Sequence, residues 1–307
     1  MKAALWRGKV NGPGLYLGTP EADYHADPCP EPSLSSHVGK LALNKSLFHA
    51  KAAHPRLTAP PEDIDEEEAP KTNYARDIGS AAHSLAFGIG AEVEEIKVKA
   101  FTTRESRVLR DEARIAGKIP LKSAHFRIAQ DMANIARPVI LDLLKGSLVA
   151  EAMLAWQERG LWRRGLIDRM SADALTIIDY KTTSASAEPT EASAALYAND
   201  YQFQEAFYRR GLDILHPEGA GRRRFWFFYQ EQEPPHAFSL IETDEAGRTM
   251  GEEQVSAACA LWDRAMRTGH WPGYPAGPFT ASPKPWLLSR WAERMATDET
   301  LNPQEAA

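Results

Sequence analysis

Two short strand-like segments of the chain, RRGLIDRMSADALTIIDYKTTS at residues 163–184, contain charged residues whose types and spacing could do chemistry. The pattern predicts a polar turn near residues 171–174, with Asp168 at the end of the first strand and Asp179 and Lys181 inside the second. Because residues two apart in a strand share a face, Asp179 and Lys181 are expected to point the same way. Pairing across the hairpin brings Asp168 within reach of Asp179. Charged groups in a sheet are costly to bury unless they are paired or bind a metal ion, so this hairpin is the first candidate for chemistry.

A third carboxylate is available upstream, because Glu151 stands in another strand-like segment. Two or three carboxylates, with water in the remaining positions, are ligands that Mg²⁺ or Mn²⁺ prefers. Such an ion can lower the pKa of a bound water, orient a phosphate and stabilise the charge on its oxygens. Lys181 would then lie beside the attacking water or the phosphate oxygens. The alternative is a same-face ion pair of Asp179 and Lys181 on a solvated edge strand, with Asp168 beginning the turn, and both interpretations stay open at this point.

The composition is that of an ordinary globular protein, with 307 residues, of which 43% are hydrophobic and 25% charged. No run of about 18 apolar residues is present, which argues against a membrane span. The N-terminal residues contain no apolar segment typical of a secretory signal. Cys29 and Cys259 are the two cysteines, too few for a disulfide framework, an iron–sulfur cluster or an all-cysteine zinc site. We therefore expect a cytoplasmic protein.

The net charge of −6 is unevenly distributed along the chain. Residues 97–137 contain ten Lys or Arg against four Asp or Glu, whereas EDIDEEE at residues 62–68 concentrates acid in a loop-like segment. A stripe of four cations at helical spacing, called the basic stripe below, either binds phosphate or forms a solvated helix face. Its members are Arg107, Arg110, Arg114 and Lys118.

The remaining pattern predicts the elements that position these residues. Residues 1–70 are expected to form an arm and a helix, followed by the acidic, proline-rich linker HPRLTAPPEDIDEEEAPK. Residues 71–295 are expected to form the main domain, and residues 296–307 a flexible polar tail. The order of helices and strands favours an α/β fold with a mixed central sheet. Helices are predicted at residues 36–54, 77–87, 104–117, 124–145, 189–212 and 252–268, and strands at residues 93–101, 148–156, 161–168, 175–182, 222–230 and 236–244.

The segment GLIDRMSADALTIIDYKT resembles the metal-binding core of the PD-(D/E)XK nuclease superfamily. Asp168 matches the first acidic position of that core, and Asp179 and Lys181 match its (D/E)xK element. Ile167 stands where the motif has proline. The resemblance implies a restriction-endonuclease-like core with a mixed central sheet flanked by helices, and it makes residues 71–295 the nuclease domain.

Further segments resemble the phage and prophage exonuclease branch similar to exodeoxyribonuclease VIII, over about residues 15–275. GSAAHSLAF matches a small-residue helix that carries His83, VAEAMLAW places Glu151 at the upstream acidic position, and YQFQEAFY matches a helix with Gln204 and Tyr208. GHWPGYP resembles the closing segment of that group, and YHADPCPEPSLS resembles its N-terminus. Without the resemblance, His83 is typical of a core histidine, and Gln204 and Tyr208 of interior residues that orient the hairpin.

The resemblance implies an Mg²⁺-dependent exodeoxyribonuclease that digests double-stranded DNA from its ends, 5′ to 3′. The 3′ single strand would pass to an annealing protein for phage-type recombination, and a homo-oligomeric ring is a common assembly in that group. An endonuclease or repair nuclease on the same core, or a non-catalytic DNA-binding protein, are the alternatives.

The implied site has three parts. One or two Mg²⁺ (or Mn²⁺) would be held by Glu151, Asp168, Asp179 and the backbone carbonyl of Tyr180, with His83 completing the coordination sphere of the second ion. Lys181 would position or activate the attacking water. Gln204 and Tyr208 would steady the substrate, and the basic stripe would follow the DNA phosphates.

Overall fold

The computed structural model describes residues 3–58, 74–88, 90–145 and 149–301. Most of the expected acidic linker, from residue 59 onward, lies outside these ranges. The chain forms two compact units, residues 1–273 and residues 274–307. The expected boundaries after residues 70 and 295 do not coincide with this division, and as statements about independent domains they stay predictions.

Helices and strands alternate along most of the chain. Within the described ranges, no helix is both long and apolar enough to cross a bilayer. In chain order the elements are β1 (Ala3–Leu5), β2 (Gly14–Leu17), α1 (Glu21–His25), β3 (Leu34–Ser35), α2 (Ser36–Asn44), α3 (Leu47–Ala52), α4 (Tyr74–Phe87), β4 (Val93–Ile96), α5 (Arg104–Ile115), β5 (Ile119–Lys122), α6 (Ser123–Leu143), β6 (Val149–Glu158), β7 (Leu161–Met170), β8 (Thr176–Thr183), α7 (Pro189–Ala198), α8 (Tyr201–Leu215), β9 (Arg224–Glu231), β10 (Phe238–Ile241), α9 (Glu245–Thr268) and α10 (Pro285–Thr297).

One large mixed sheet carries the fold of the larger unit. Its strand order is β1-β2-β6-β7-β8-β9-β10, and the short β3 also pairs with β7. β6, β7 and β8 run antiparallel in sequence, β8 lies parallel to β9, and β10 closes the edge antiparallel to β9. β4 and β5 form a separate parallel pair on either side of α5 in the chain. The parallel β8–β9 pair requires the crossover that α7 and α8 provide.

Helices cover both faces of this sheet. On one face, Ile177 of β8 belongs to a core with Phe207 of α8 and side chains of α2 and α9. On the other face, Ile178 belongs to a core with Ala82 of α4 and Met132 of α6. Successive strand residues point to opposite faces, so neighbouring isoleucines of β8 serve the two cores. The predicted α/β fold with a mixed central sheet flanked by helices is confirmed.

Two helices that the sequence pattern predicts as continuous are each divided in two. The one through residues 36–54 ends at Asn44, and Ser46 caps the next helix by accepting a hydrogen bond from the amide three residues later. The one through residues 189–212 is interrupted at Asp200, which takes a left-handed conformation with φ of 53°. Aspartate is among the residues that tolerate this conformation. Local side-chain chemistry at the two breaks outweighs the helical periodicity of the flanking segments.

The N-terminal segment contains strands that its composition does not predict. β1 pairs with β2, and β2 pairs with β6, so this segment extends the central sheet. The strand expected at residues 93–101 ends at Ile96. The helix expected from residue 252 begins at Glu245, because Asp244 caps it with a hydrogen bond from the amide of Gly247. Short edge strands lack the alternation of four or more residues on which sequence patterns depend.

Candidate active site

The two strands of the predicted hairpin separate where the charged residues lie. β7 and β8 pair near their turn, at residues 169–170 and 177–178. Beyond this point β7 remains paired with β6, whereas β8 remains paired with β9. Asp168 and Asp179 are the next opposed residues in the hairpin register, and the backbone N–H of Tyr180 donates to Asp168 Oδ2 at 3.0 Å. We call this opening between β7 and β8, marked by Asp168, Asp179 and Tyr180, the fork.

A closed set of contacts joins Asp179 to Lys181 and Gln204. Lys181 Nζ lies 2.5 Å from Asp179 Oδ2. From α8, Gln204 Nε2 donates to Asp179 Oδ1 at 2.8 Å, and Gln204 Oε1 accepts from Lys181 Nζ at 3.4 Å. Gln204 Nε2 also donates to the hydroxyl of Tyr208 at 3.4 Å, one helical turn away. Tyr208 is only 5% exposed, so it supports Gln204 from the interior while Gln204 orients the charged pair.

The charges at the fork hold one another in defined protonation states. Burial alone would lower the pKa of Lys181, but the charges of Asp179 and Asp168 raise it above its ordinary value. Burial would raise the pKa of Asp168, yet the charge and hydrogen bond of His83, with Lys181, lower it to about 2. Burial is the main influence on Asp179 and raises its pKa. Lys181 is therefore an ammonium group and a hydrogen-bond donor at neutral pH in this arrangement.

A cavity of about 190 Å³ opens beside the fork. His83 of α4 lines it, with Nε2 at 3.5 Å from Asp168 Oδ2 and its ring stacked on that of Tyr180 at a centroid distance of 6.1 Å. Glu151 of β6 lines the same cavity and has a φ of 43°, a conformation that is uncommon outside glycine. His83, Glu151 and Asp168, three of the predicted ligands, thus border one cavity.

The carboxylates at the fork have the chemistry of ligands for a hard divalent cation. Burial raises the pKa of Glu151 against the opposing charges of His83 and Arg169, and the nearby carboxylate of Asp168 adds to the increase. Among the residues that the structure describes, no group of three or more His, Cys, Asp or Glu side chains is close enough together to hold a metal ion. Lys181 provides the positive charge next to Asp179. The carboxylates are therefore suitable ligands for a divalent ion, but their side chains would have to move closer together to coordinate one.

Arg169 is a buried cation at the fork that the sequence pattern did not single out. It is fully buried, its Nη1 donates to the backbone carbonyl of Asp168 at 3.0 Å, and its guanidinium lies 3.9 Å from the ring centroid of Phe87. Among the described residues its Nε and Nη2 have no hydrogen-bond partner. Burial lowers its pKa to about 10, against the opposing charges of Asp168 and Glu151. The one sequence feature that could have pointed to Arg169 as a site residue is its position directly after Asp168.

Two other neighbours of the site come from the N-terminal segment. Glu21 of α1 lines the same cavity as Glu151 and Asp168. Lys40 of α2 lies over the ring of Tyr201, the first residue of α8. Both are far from the hairpin along the chain, so neither motif spacing nor periodicity could have identified them.

The basic stripe lies on α5 and the turn that follows it. Arg107 Nε donates to the backbone oxygen of Phe101 at 3.4 Å. The other three cations have carboxylate partners within the protein, which reduces the charge available to phosphate. The pairs are Arg110 with Asp111 at 2.8 Å, Arg114 with Asp77 at 3.1 Å, and Lys118 with Glu92 and Glu94 at 3.1 Å each.

Comparison with known proteins identifies a family and a shared fold. The model of the family described as a PDDEXK-like domain of unknown function (DUF3799) matches residues 54–278, more than half of the chain. The crystal structure described as a "putative exonuclease" from Eubacterium rectale is similar in fold, with a TM-score of 0.51 at 9% sequence identity. The similarity covers 84% of this chain and 92% of that one. No curated protein matches the chain.

At 9% identity the solved structure establishes a shared fold, and the fork lies within the residues that the family model matches. The predicted superfamily and its restriction-endonuclease-like architecture are thereby confirmed. The chain belongs to the family of PDDEXK-like domains, and it carries a nuclease domain of the PD-(D/E)XK superfamily.

Proposed function

We propose that this protein is a divalent-metal-dependent exodeoxyribonuclease that digests double-stranded DNA from its ends in the 5′ to 3′ direction. The observation that carries the proposal is the fork itself, where Asp168, Asp179, Lys181 and Gln204 meet at the point at which two strands separate. A buried aspartate–lysine pair could serve stability alone. The additional carboxylate of Glu151 and the imidazole of His83 on the adjoining cavity favour a catalytic site.

In this proposal the cation would be held by Glu151, Asp168, Asp179 and the carbonyl of Tyr180, and His83 would contribute to a second position. A bound Mg²⁺ or Mn²⁺ would supply an activated water and would neutralise charge on the scissile phosphate. In-line attack by the water would form the new bond to phosphorus as the water gives up a proton to solvent. The bond to the 3′ oxygen would break as that oxygen takes up a proton, so the products carry a 5′ phosphate and a 3′ hydroxyl.

Lys181 donates a hydrogen bond to the attacking water or to a phosphate oxygen, which stabilises the charge of the transition state. Its ion pair with Asp179 places the ammonium group beside the proposed cation. Gln204 keeps Lys181 and Asp179 in register, because its amide contacts both side chains. Tyr208 in turn supports Gln204 from the interior. A preorganised donor of this kind requires little rearrangement during the reaction.

The substrate ends, the polarity and the assembly follow the sequence resemblance to exonucleases of the exodeoxyribonuclease VIII type. The 3′ single strand left by 5′ to 3′ digestion would serve an annealing protein in phage-type recombination. A homo-oligomeric ring would keep the enzyme on its DNA. Duplexes labelled at the 5′ or the 3′ end distinguish the two polarities, and light scattering of the purified protein measures the assembly.

The deciding experiment measures acid-soluble nucleotides released from linear duplex DNA and from closed circular DNA, each with Mg²⁺ and with EDTA. Asp179→Asn removes a carboxylate of the fork, and Asp131→Asn removes an exposed carboxylate of α6 as the matched control. We expect metal-dependent release from linear DNA alone, abolished in the first variant and unchanged in the second. Cutting of the circle identifies an endonuclease, and DNA binding without release identifies a non-catalytic binding protein.

In this proposal the basic stripe binds the phosphate backbone beside the site. Among the described residues Arg107 has no carboxylate partner, whereas Arg114 is paired with Asp77. Arg107→Gln is therefore expected to weaken DNA binding more than Arg114→Gln. The slope of log K against log salt becomes shallower by about 0.9 for each phosphate that a variant no longer neutralises. Equal and negligible effects of both variants would identify the stripe as a solvated helix face.

A further inference from the structure

The helix α2 places a second ammonium group next to the fork. Gly39 of α2 packs so closely on α8 that an added Cβ would lie 2.7 Å from the ring of Phe203. At the end of the helix, Asn44 Nδ2 donates to Asp200 Oδ2 at 2.7 Å. Lys40 follows Gly39 directly, and its Nζ donates to the backbone carbonyl of Asn199 at 3.2 Å. Close packing at one residue and a hydrogen bond one turn later fix the position of Lys40 relative to α8.

The ring of Tyr201 connects this second ammonium group to the first. Lys181 Nζ lies 4.4 Å from the centroid of the Tyr201 ring, and Lys40 Nζ lies 5.5 Å from it. The ring itself is held in the sheet face by stacking on Phe227, with centroids 5.8 Å apart. An aromatic face attracts cations, so one rigid ring draws two lysines towards the same region.

The two lysines differ in how their charges are matched. Lys181 is paired with Asp179 at 2.5 Å. Lys40 contacts a backbone carbonyl, and no carboxylate of the described residues forms an ion pair with it. Burial, followed by the charge of Lys181, lowers the pKa of Lys40, whereas Asp200 and Asp179 act in the opposite sense. An anion placed between the two ammonium groups would therefore relieve their mutual repulsion.

We propose that Lys40 binds a backbone phosphate of the DNA strand next to the scissile phosphate, with Tyr201 as the rigid support that sets its distance from Lys181. This inference rests on the proposed nuclease function and assigns a substrate subsite to the N-terminal segment. Lys40 is a positioning residue, because it holds the strand while the groups of the fork act on the reacting atoms. A bound phosphate supplies the anionic partner that Lys40 lacks in the described chain, and a charged hydrogen bond to phosphate is strong.

The competing explanation is that Lys40 only caps the C-terminal carbonyls of α7, as a cation at a helix end commonly does. Two substitutions separate these roles. Lys40→Gln retains a donor for the carbonyl of Asn199 but removes the charge, and Lys40→Arg retains the charge. Lys45→Met, which removes an exposed lysine at the end of α2, is the matched control.

The probes are linear duplexes of one sequence in which a single backbone phosphate, at successive positions from the end, is replaced by an uncharged methylphosphonate. Binding is measured in EDTA, so that cleavage does not interfere. We expect Lys40→Gln to bind the unmodified duplex about tenfold more weakly, the value of one charged hydrogen bond. The unaltered protein should bind the duplex about tenfold more weakly when the methylphosphonate is at one particular position. At that position Lys40→Gln should lose no further affinity relative to its binding of the unmodified duplex. Lys40→Arg and Lys45→Met should behave like the unaltered protein.

The inference is overturned if Lys40→Gln remains as sensitive as the unaltered protein at every methylphosphonate position. It is also overturned if Lys40→Gln binds and cleaves DNA normally. These outcomes differ from failure of the proposed function, in which the unaltered protein releases no nucleotides from the unmodified linear duplex with Mg²⁺. Circular dichroism of each variant shows whether the protein is folded. If Lys40→Gln is not folded, the inference is still overturned when the unaltered protein loses no affinity at any single methylphosphonate position.

Discussion

At the scale of single residues, the site combines charges that are costly to bury with contacts that compensate them. Lys181 and Asp179 compensate each other, and Gln204 satisfies both with one amide group. Arg169 is compensated less completely, since two of its nitrogens have no hydrogen-bond partner among the described residues. Uncompensated groups of this kind and unusual backbone conformations concentrate at functional sites, where they reduce stability.

Glu151 offers a direct test of this conflict between stability and function. Its φ of 43° is unfavourable for glutamate, whereas asparagine tolerates the left-handed region. We expect Glu151→Asn to raise the free energy of unfolding by about 1 kcal/mol, because it relieves backbone strain, and to abolish nuclease activity. Urea unfolding and the nucleotide-release assay measure the two effects. Glu95→Gln, an exposed change on β4, should alter neither, and loss of stability in Glu151→Asn would contradict the strain argument.

Gln204 tests whether contacts behind the fork matter for catalysis. Gln204→Met preserves the length of the side chain but removes both hydrogen bonds to the charged pair. We expect the rate of nucleotide release to fall by about 10- to 100-fold, the effect typical of a residue that orients metal ligands. The control Gln254→Met changes the same residue type on α9. An unchanged rate in Gln204→Met would mean that burial alone keeps Asp179 and Lys181 in place.

At the scale of elements, the site depends on which strands pair and for how long. The fork forms because β7 keeps its pairing with β6 while β8 keeps its pairing with β9. The N-terminal segment is attached to β7 by a buried cluster around Asp27. Its carboxylate accepts from Ser33 Oγ at 2.7 Å and lies 3.2 Å from both His54 Nε2 and Arg164 Nη1. Through this cluster the segment that carries Lys40 is joined to the strand that carries Asp168.

Removing the charge of Asp27 should therefore weaken the whole fold. Asp27→Asn leaves Arg164 and its neighbours without a buried counter-charge, and breaking such a pair costs about 3 kcal/mol or more. Urea unfolding at neutral pH measures the change, with the exposed Asp131→Asn as control. A loss below about 0.5 kcal/mol, ordinary for surface substitutions, would show that the cluster does not hold the segment in place.

The same cluster predicts a pH dependence of stability. Burial would raise the pKa of Asp27, but the hydrogen bonds of His54 and Ser33 and the charge of Arg164 lower it below 3.8. A carboxyl group with a lowered pKa in the folded state stabilises the protein above its ordinary pKa, and that contribution is lost as the pH falls through the lower value. Below the ordinary carboxyl pKa the unaltered protein should therefore lose stability more steeply than Asp27→Asn. Parallel curves would contradict this assignment.

At the scale of the whole molecule, both hydrophobic cores that enclose the sheet lie within residues 1–273. A chain that ends at Gly273 is therefore expected to fold cooperatively and to retain metal-dependent release of nucleotides. Circular dichroism with urea and the release assay test this expectation. A truncated chain that aggregates or unfolds without a cooperative transition would contradict it. Light scattering of both chains shows in addition whether residues 274–307 are required for a ring.

The net charge of −6 adds a second property of the whole molecule. Long-range repulsion opposes the approach of DNA, so binding must depend on local clusters of cations. Lys40 and Lys181 form one such cluster beside the fork. High salt should consequently weaken binding steeply despite the acidic composition.

Much of the fold and of the candidate site could be predicted from the sequence, because the pattern of polar and apolar residues in a segment depends on which of its faces is buried. Alternation and helical periodicity predicted the hairpin, its flanking helices and the mixed sheet, since burial of one face requires those repeats. The spacing of Asp168, Asp179 and Lys181 placed them together because a short turn connects their strands. Gln204 and Tyr208 were identified by the resemblance and share one face of α8.

Only the tertiary structure decided the remainder, because it depends on contacts between segments far apart in the chain. No local sequence pattern predicts the positive φ of Glu151, the incompletely compensated charge of Arg169 or the approach of Lys40 to Tyr201. The carboxylate partners of Arg114 and Lys118 likewise belong to segments distant in the chain, on α4 and at β4. A sequence states which charges exist, whereas packing determines which of them are already neutralised and which remain available to bind DNA.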